Sequence, residues 1–63
     1  MTDVRVLPQL LTTDEVATAL QVNRSTLCRW RAAGTGPPVV WLSPGVPRYR
    51  IEDVLAWLSE MAA

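Results

Sequence analysis

Gly34-Thr35-Gly36-Pro37-Pro38 divides this 63-residue chain in two, because no regular helix runs through two glycines and two prolines in five residues. Any helix on the N-terminal side must end at about Gly34, and the chain must leave the break in extended form.

Before the break, two segments carry helix signals. Thr12 and Glu15 have the spacing of a capping box, and Leu11 and Val16 occupy the two positions of a hydrophobic staple. A first helix is therefore expected from Thr13 to Leu20, with Val16, Ala17 and Leu20 inward and Asp14 and Glu15 serving its dipole and cap. Gln21-Val22 is too short for a free loop, so a second helix must start almost at once from Asn23. That residue is expected to cap with its side chain, and Gly34 to end the helix in the left-handed conformation. On this second helix Leu27 and Trp30 face a core, Ser25, Arg29 and Ala32 lie opposite, and Thr26 and Cys28 flank them.

After the break, Val39-Val40-Trp41-Leu42 reads as a strand and Ser43-Pro44-Gly45-Val46 as a turn. Pro47-Arg48-Tyr49-Arg50 returns antiparallel, with Pro47 at a strand start or on an edge. Arg48 and Arg50 then share one face and Tyr49 takes the other. A last helix spans about Glu52 to Met61. Its broad apolar side, Val54, Leu55, Trp57, Leu58 and Met61, is expected to be core, opposite Asp53, Ala56 and Glu60. Residues 1–9 are expected as an N-terminal arm, the weak alternation at Val4 and Val6 before Pro8 fitting a mobile arm or a short edge strand, and residues 10–63 as one domain.

The expected architecture is mainly α with a small β-hairpin: three helices and a two-stranded wing, a winged helix-turn-helix. Hydrophobic residues make up 49% of the chain, enough for a compact core, and three Trp with no Phe are its natural large members. A single Cys excludes an internal disulfide and a cysteine-rich metal site. No apolar run is long enough to span a membrane, and the N-terminus lacks a signal pattern, so a cytoplasmic protein is expected.

Catalysis finds no support. There is no His, Cys28 has no partner base in sequence, and the pairs Asp14-Glu15 and Glu52-Asp53 point about 100° apart on their helices. No cofactor, metal or small-molecule ligand is indicated. Net charge is zero, yet its distribution is uneven: Arg24, Arg29, Arg31, Arg48 and Arg50 follow one another with no acid between them, and the acids lie toward both ends. Such clustering sets an electrostatic footprint more than the total does. All six basic residues are Arg, whose planar fork suits phosphates and guanine edges.

Taken together, LLTTDEVATAL at 10–20, VNRSTLCRW at 22–30, GTGPP at 34–38, RYR at 48–50 and DVLAWL at 53–58 resemble the MerR-like winged-helix proteins of the phage excisionase family. The resemblance covers roughly residues 10–60. It implies a second helix in the major groove and a wing near the adjacent minor groove. Ser25, Thr26 and Arg29 would be helix contacts, Arg24 a backbone contact, and Arg48 and Arg50 wing contacts; Arg31 completes the candidate DNA-binding set. Three positions depart from the pattern: Cys28 stands where Tyr is frequent, Trp41 where a basic residue is frequent, and the wing tip SPGVP is less basic than usual.

The resemblance implies an architectural factor, or recombination directionality factor, that binds and bends attachment-site DNA and directs an integrase toward excision. Copies assembling along double-stranded DNA are expected, because one helix and one wing make a small contact, with Trp41 as a candidate protein–protein anchor. Whether Trp41 instead folds back onto its own domain stays open at this point. Two alternatives use the same residues differently: a small transcriptional regulator, and a protein-interaction module that never touches DNA.

Overall fold

A computed structural model describes residues 9–62, so the expected arm of Val4 and Val6 lies outside the described residues. Strand β1 (Leu10–Leu11) leads into helix α1 (Thr13–Leu20) and helix α2 (Arg24–Ala33). Strands β2 (Val40–Ser43) and β3 (Val46–Arg50) follow, and helix α3 (Ile51–Ala62) closes the domain. The architecture is a winged helix-turn-helix with one addition. The sheet has three strands in the order β1-β3-β2, because Leu10 and Leu11 pair antiparallel with Arg50 and Tyr49.

The start of α1 is fixed by its capping box. The Thr12 N–H donates to Glu15 Oε1 at 2.8 Å, and the Glu15 N–H donates to Thr12 Oγ1 at 3.1 Å. Its end is sharper than the sequence suggests. Gln21 adopts φ 60° and ψ 42°, the left-handed conformation in which glycine is usual. The N–H of Gln21 donates to the Thr18 carbonyl and that of Val22 to the Ala17 carbonyl, at 3.1 and 3.0 Å. This paired closure reverses the chain within Gln21, Val22 and Asn23.

Asn23 caps α2 differently from expectation. Its side chain makes no cap bond; at φ −71° and ψ 148° its carbonyl instead accepts the N–H groups of Thr26 and Leu27. Gly34, at φ 74°, closes α2 with the same paired bonds, from Gly34 to Arg31 and from Thr35 to Trp30. Gly36 then passes so close to α2 that a Cβ there would lie 3.1 Å from Trp30 Cβ.

Within the hairpin, Val40 faces Arg48, Trp41 faces Pro47 and Ser43 faces Val46, which leaves Leu42 as the extra residue of a bulge. Gly45 at φ 80° fits the third position of a Pro-Gly turn. Pro47 is the second residue of β3, the middle strand. It is tolerated because β1 reaches only Tyr49 and Arg50, so β3 has a single neighbour at Pro47.

Val16, Ala17, Leu27, Tyr49 and Val54 form the buried core, and Leu11, Leu20, Val22, Trp30 and Val39 pack around it. Its largest fully enclosed side chain is Tyr49, not a Trp. Trp30 and Trp57 are half-buried and lean on each other, ring centroids 5.9 Å apart at 46°, while Trp57 Nε1 donates to the Thr35 carbonyl at 3.3 Å.

The expectation for the last helix needs correction. Only Val54 of its apolar side is buried, whereas Leu55 and Met61 are 58% and 67% exposed and Ile51 and Leu58 are also exposed. So small a domain has too few elements to cover a broad stripe, and β3 meets α3 along a narrow line.

Candidate nucleic-acid interface

Helix α2 presents Ser25, Arg29 and Ala32 to solvent while Leu27 on its other side is fully buried. The outward residues are short except Arg29, so a groove wall can approach the helix closely. Arg29 Nη2 donates to Thr26 Oγ1, one turn earlier, at 3.2 Å. That contact holds the guanidinium along the helix surface and joins two of the expected contact residues in one polar unit.

Arg24 opens the same helix. Its Nε lies 3.3 Å from Asp14 Oδ1, an ion pair between two side chains that are each more than two-thirds exposed. Water screens such a pair strongly, so it directs Arg24 more than it stabilises the fold. Beside it a cleft of about 260 Å³ is lined by Thr12, Thr13, Asp14, Arg24, Gly45, Pro47 and Arg48. It brings the starts of α1 and α2 together with the wing. Arg24 and Arg48, 24 positions apart, thus face one hollow alongside two threonine residues. Arg48 Nη1 also donates to the Pro47 carbonyl at 2.7 Å. Another hollow, over Asp14, Glu15, Thr18 and Ala19, carries two acids and no base, which disfavours phosphate.

Arg50 is placed apart. It lies at the base of the hairpin, where its Nη2 donates to Glu52 Oε1 at 2.7 Å. The hydrogen bond and charge of Glu52, with Asp53 beyond, hold the Arg50 pKa above its ordinary value. A phosphate would have to compete with that carboxylate. Arg31 turns inward: its Nη1 donates to Thr13 Oγ1 at 3.1 Å and to the Tyr49 hydroxyl at 3.4 Å, and its Nη2 to Cys28 Sγ at 3.7 Å. Its guanidinium also stands 5.4 Å from the centroid of the Trp41 ring. Trp41 therefore folds partly back onto its own domain, yet stays 53% exposed.

Sequence reasoning did not place Thr13, Asp14 or Gly45 at the site. For Thr13 and Asp14 the signal was available in the capping box, which fixes where α1 begins. For Gly45 it was the turn, which brings the wing tip back. Nothing local links Thr13 to Arg31, 18 residues away.

The fold and this surface define a winged helix-turn-helix in which an exposed face of α2 lies near a cleft that holds two arginines. The family model described as "Helix-turn-helix domain" matches residues 10–62, and the chain belongs to that family of DNA-binding modules. No curated protein and no solved structure matches it. Among the described residues no helix is long and apolar enough to cross a membrane, and no group of His, Cys, Asp or Glu is arranged to hold a metal ion.

Proposed function

We propose that the chain is a sequence-specific architectural protein of the excisionase type. It would bind attachment-site DNA in several copies, bend it, and direct an integrase toward excision in the cytoplasm of the host cell. The observation that carries this reading is the shared cleft of Arg24 and Arg48 beside the exposed face of α2. A duplex laid along α2 would bring a backbone phosphate to that cleft, where Arg48 and Arg24, the latter in exchange for its exposed pair with Asp14, can neutralise it.

Ser25, Thr26 and Arg29 are the base-edge candidates in this arrangement, with Arg29 suited to the O6/N7 edge of guanine. Arg24 and Arg48 are the phosphate candidates. Arg50 contributes less, since it lies outside the cleft and its 2.7 Å bond to Glu52 is closer than the 3.3 Å pair of Arg24 with Asp14. The excisionase role is supported by the combined motifs from LLTTDEVATAL to DVLAWL. Assembly along DNA is supported by scale: a single module of this kind buries only about 600–1,000 Å², and neighbours would add what one copy lacks.

The test is a gel shift, a bending assay and a footprint on duplex DNA flanking the gene. Several adjacent protected sites, appearing stepwise with concentration and accompanied by bending, support the proposal. One unbent site over a promoter would make the protein a small transcriptional regulator. No salt-sensitive binding to any duplex would leave the protein-interaction module.

A further inference from the structure

We infer that Arg31 is a positioning residue that ties the wing to α2 through Trp41, rather than a contact to DNA. This inference rests on the DNA-binding reading above.

Among the five clustered arginines, Arg31 has partners unlike those of the others. Arg24 pairs with exposed Asp14, Arg29 bonds Thr26 one turn back, Arg48 bonds a neighbouring carbonyl, and Arg50 pairs with Glu52 two residues on. Arg31 reaches Thr13 at the start of α1, Tyr49 in β3 and Cys28 one turn back in α2. Thr13 and Tyr49 are 5% and 0% exposed, so both oxygens that accept from Nη1 belong to the interior. Both Nη atoms of the guanidinium thereby have protein partners, and its Cζ lies over the Trp41 ring, 5.4 Å from the centroid.

An arginine can serve both directions at once, because its donors lie in the plane and its π-face stands perpendicular to it. A lysine ammonium offers neither a plane nor two separated edges. The tie matters because little else holds β2. Trp41, Leu42 and Ser43 are exposed, and β2 packs chiefly on β3. A two-stranded ribbon is marginal alone and free to swing on its base. Trp41 pairs in register with Pro47, the neighbour of Arg48. The path from α2 to the cleft therefore runs through Arg31, Trp41, Pro47 and Arg48. Fixing one end sets where the wing guanidinium meets a phosphate relative to the residues of α2.

The experiment uses the full chain and three variants, Trp41→Leu, Arg31→Met and Arg31→Lys. In the free proteins, the backbone N–H groups of Leu42, Ser43, Gly45, Val46 and Arg48 should become more mobile, with lower NMR order parameters, in Trp41→Leu, which leaves the Arg31 bonds to Thr13 and Tyr49 intact. On the gene-flanking duplex, Trp41→Leu and Arg31→Met should each weaken binding, by on the order of tenfold, and the double variant should be no worse than Arg31→Met. The slope of affinity against salt should hardly change, and Arg31→Lys should resemble Arg31→Met despite keeping its charge.

Unchanged wing order parameters in Trp41→Leu, or effects that simply multiply, would overturn the inference. So would a slope lowered by about one unit in Arg31→Met with affinity restored in Arg31→Lys, which marks a phosphate ligand. If Arg31→Met fails to fold, Trp41→Leu supplies both readouts. Absence of duplex binding by the unaltered protein overturns the DNA reading instead, and the wing amides of the free variants then decide the tie by themselves.

Discussion

The indoles of Trp30 and Trp57 meet at 5.9 Å and a 46° tilt, so α2 and α3 are joined by an aromatic contact. Neither ring is fully enclosed, and Trp57 is further held by its bond to the Thr35 carbonyl. Trp30→Ala should cost about 3–5 kcal/mol, close to the whole stability expected of so small a domain, and Trp57→Ala about 3 kcal/mol. Urea unfolding followed by circular dichroism measures both. A cooperative Trp57→Ala protein as stable as the original would detach α3 from the fold.

Arg29 and the cleft arginines should separate by kind of loss. Arg29→Ala should lose about 1–3 kcal/mol on the preferred site and much less on random duplex, as expected for a base contact. Arg24→Ala and Arg48→Ala should weaken both equally and lower the salt slope by up to roughly one unit each. Arg50→Ala should do less than Arg48→Ala, because Glu52 holds Arg50 in the free protein. Fluorescence anisotropy titrations over a range of salt check all four. Equal losses on both duplexes for Arg29→Ala would reassign it to the backbone.

Gln21 carries the only positive φ outside glycine among the described residues. Replacing it by glycine removes the Cβ strain of the left-handed conformation but adds freedom to the unfolded chain, so the two effects partly cancel. Gln21→Gly should raise stability by up to about 1 kcal/mol, while Gln21→Val should lower it. Thermal melts of the two variants check the sign.

Acid should loosen the start of α1. The backbone N–H and then the hydroxyl of Thr12, helped by the charge of Arg48, hold the Glu15 carboxyl below its ordinary value of 4.5. A folded pKa below the unfolded one means that this contribution is complete above about pH 4.5 and fades as pH falls through the lower, folded value. Glu15→Gln should flatten the dependence of melting temperature on pH below that point and leave the neutral range little changed in slope.

Much of the fold was legible because its determinants are local. Thr12 with Glu15 marks the start of α1, and Gly34 marks the end of α2, within four residues of the bonds they govern. The alternation of Arg48, Tyr49 and Arg50 correctly separated the faces of β3, but nothing in three residues shows that Tyr49 becomes the largest enclosed side chain. The stripe on α3 was visible as apolar. Periodicity tells which side is apolar and not how much protein there is to cover it, and so Leu55 and Met61 emerge exposed. Within the site, Arg24 and Arg29 could be placed from the helix alone. The inward turn of Arg31 depends on Thr13 and Tyr49, each 18 residues distant, and on the opposite strand of the wing.

The turn between α1 and α2 contains no slack. Gln21 and Val22 are both bonded back to α1, and Asn23 already receives the first bonds of α2. Chain length there is therefore converted directly into helix phase. One residue inserted after Val22 has no loop in which to be absorbed, and an α-helix advances about 100° per residue. Either the bonds that hold Gln21 and Val22 to α1 must break, or α2 must turn as a unit and take Leu27 out of the core along with Ser25 and Arg29 out of their outward direction. The direction in which α2 presents Ser25 and Arg29 thus depends on counting: three residues between the helices, neither more nor fewer.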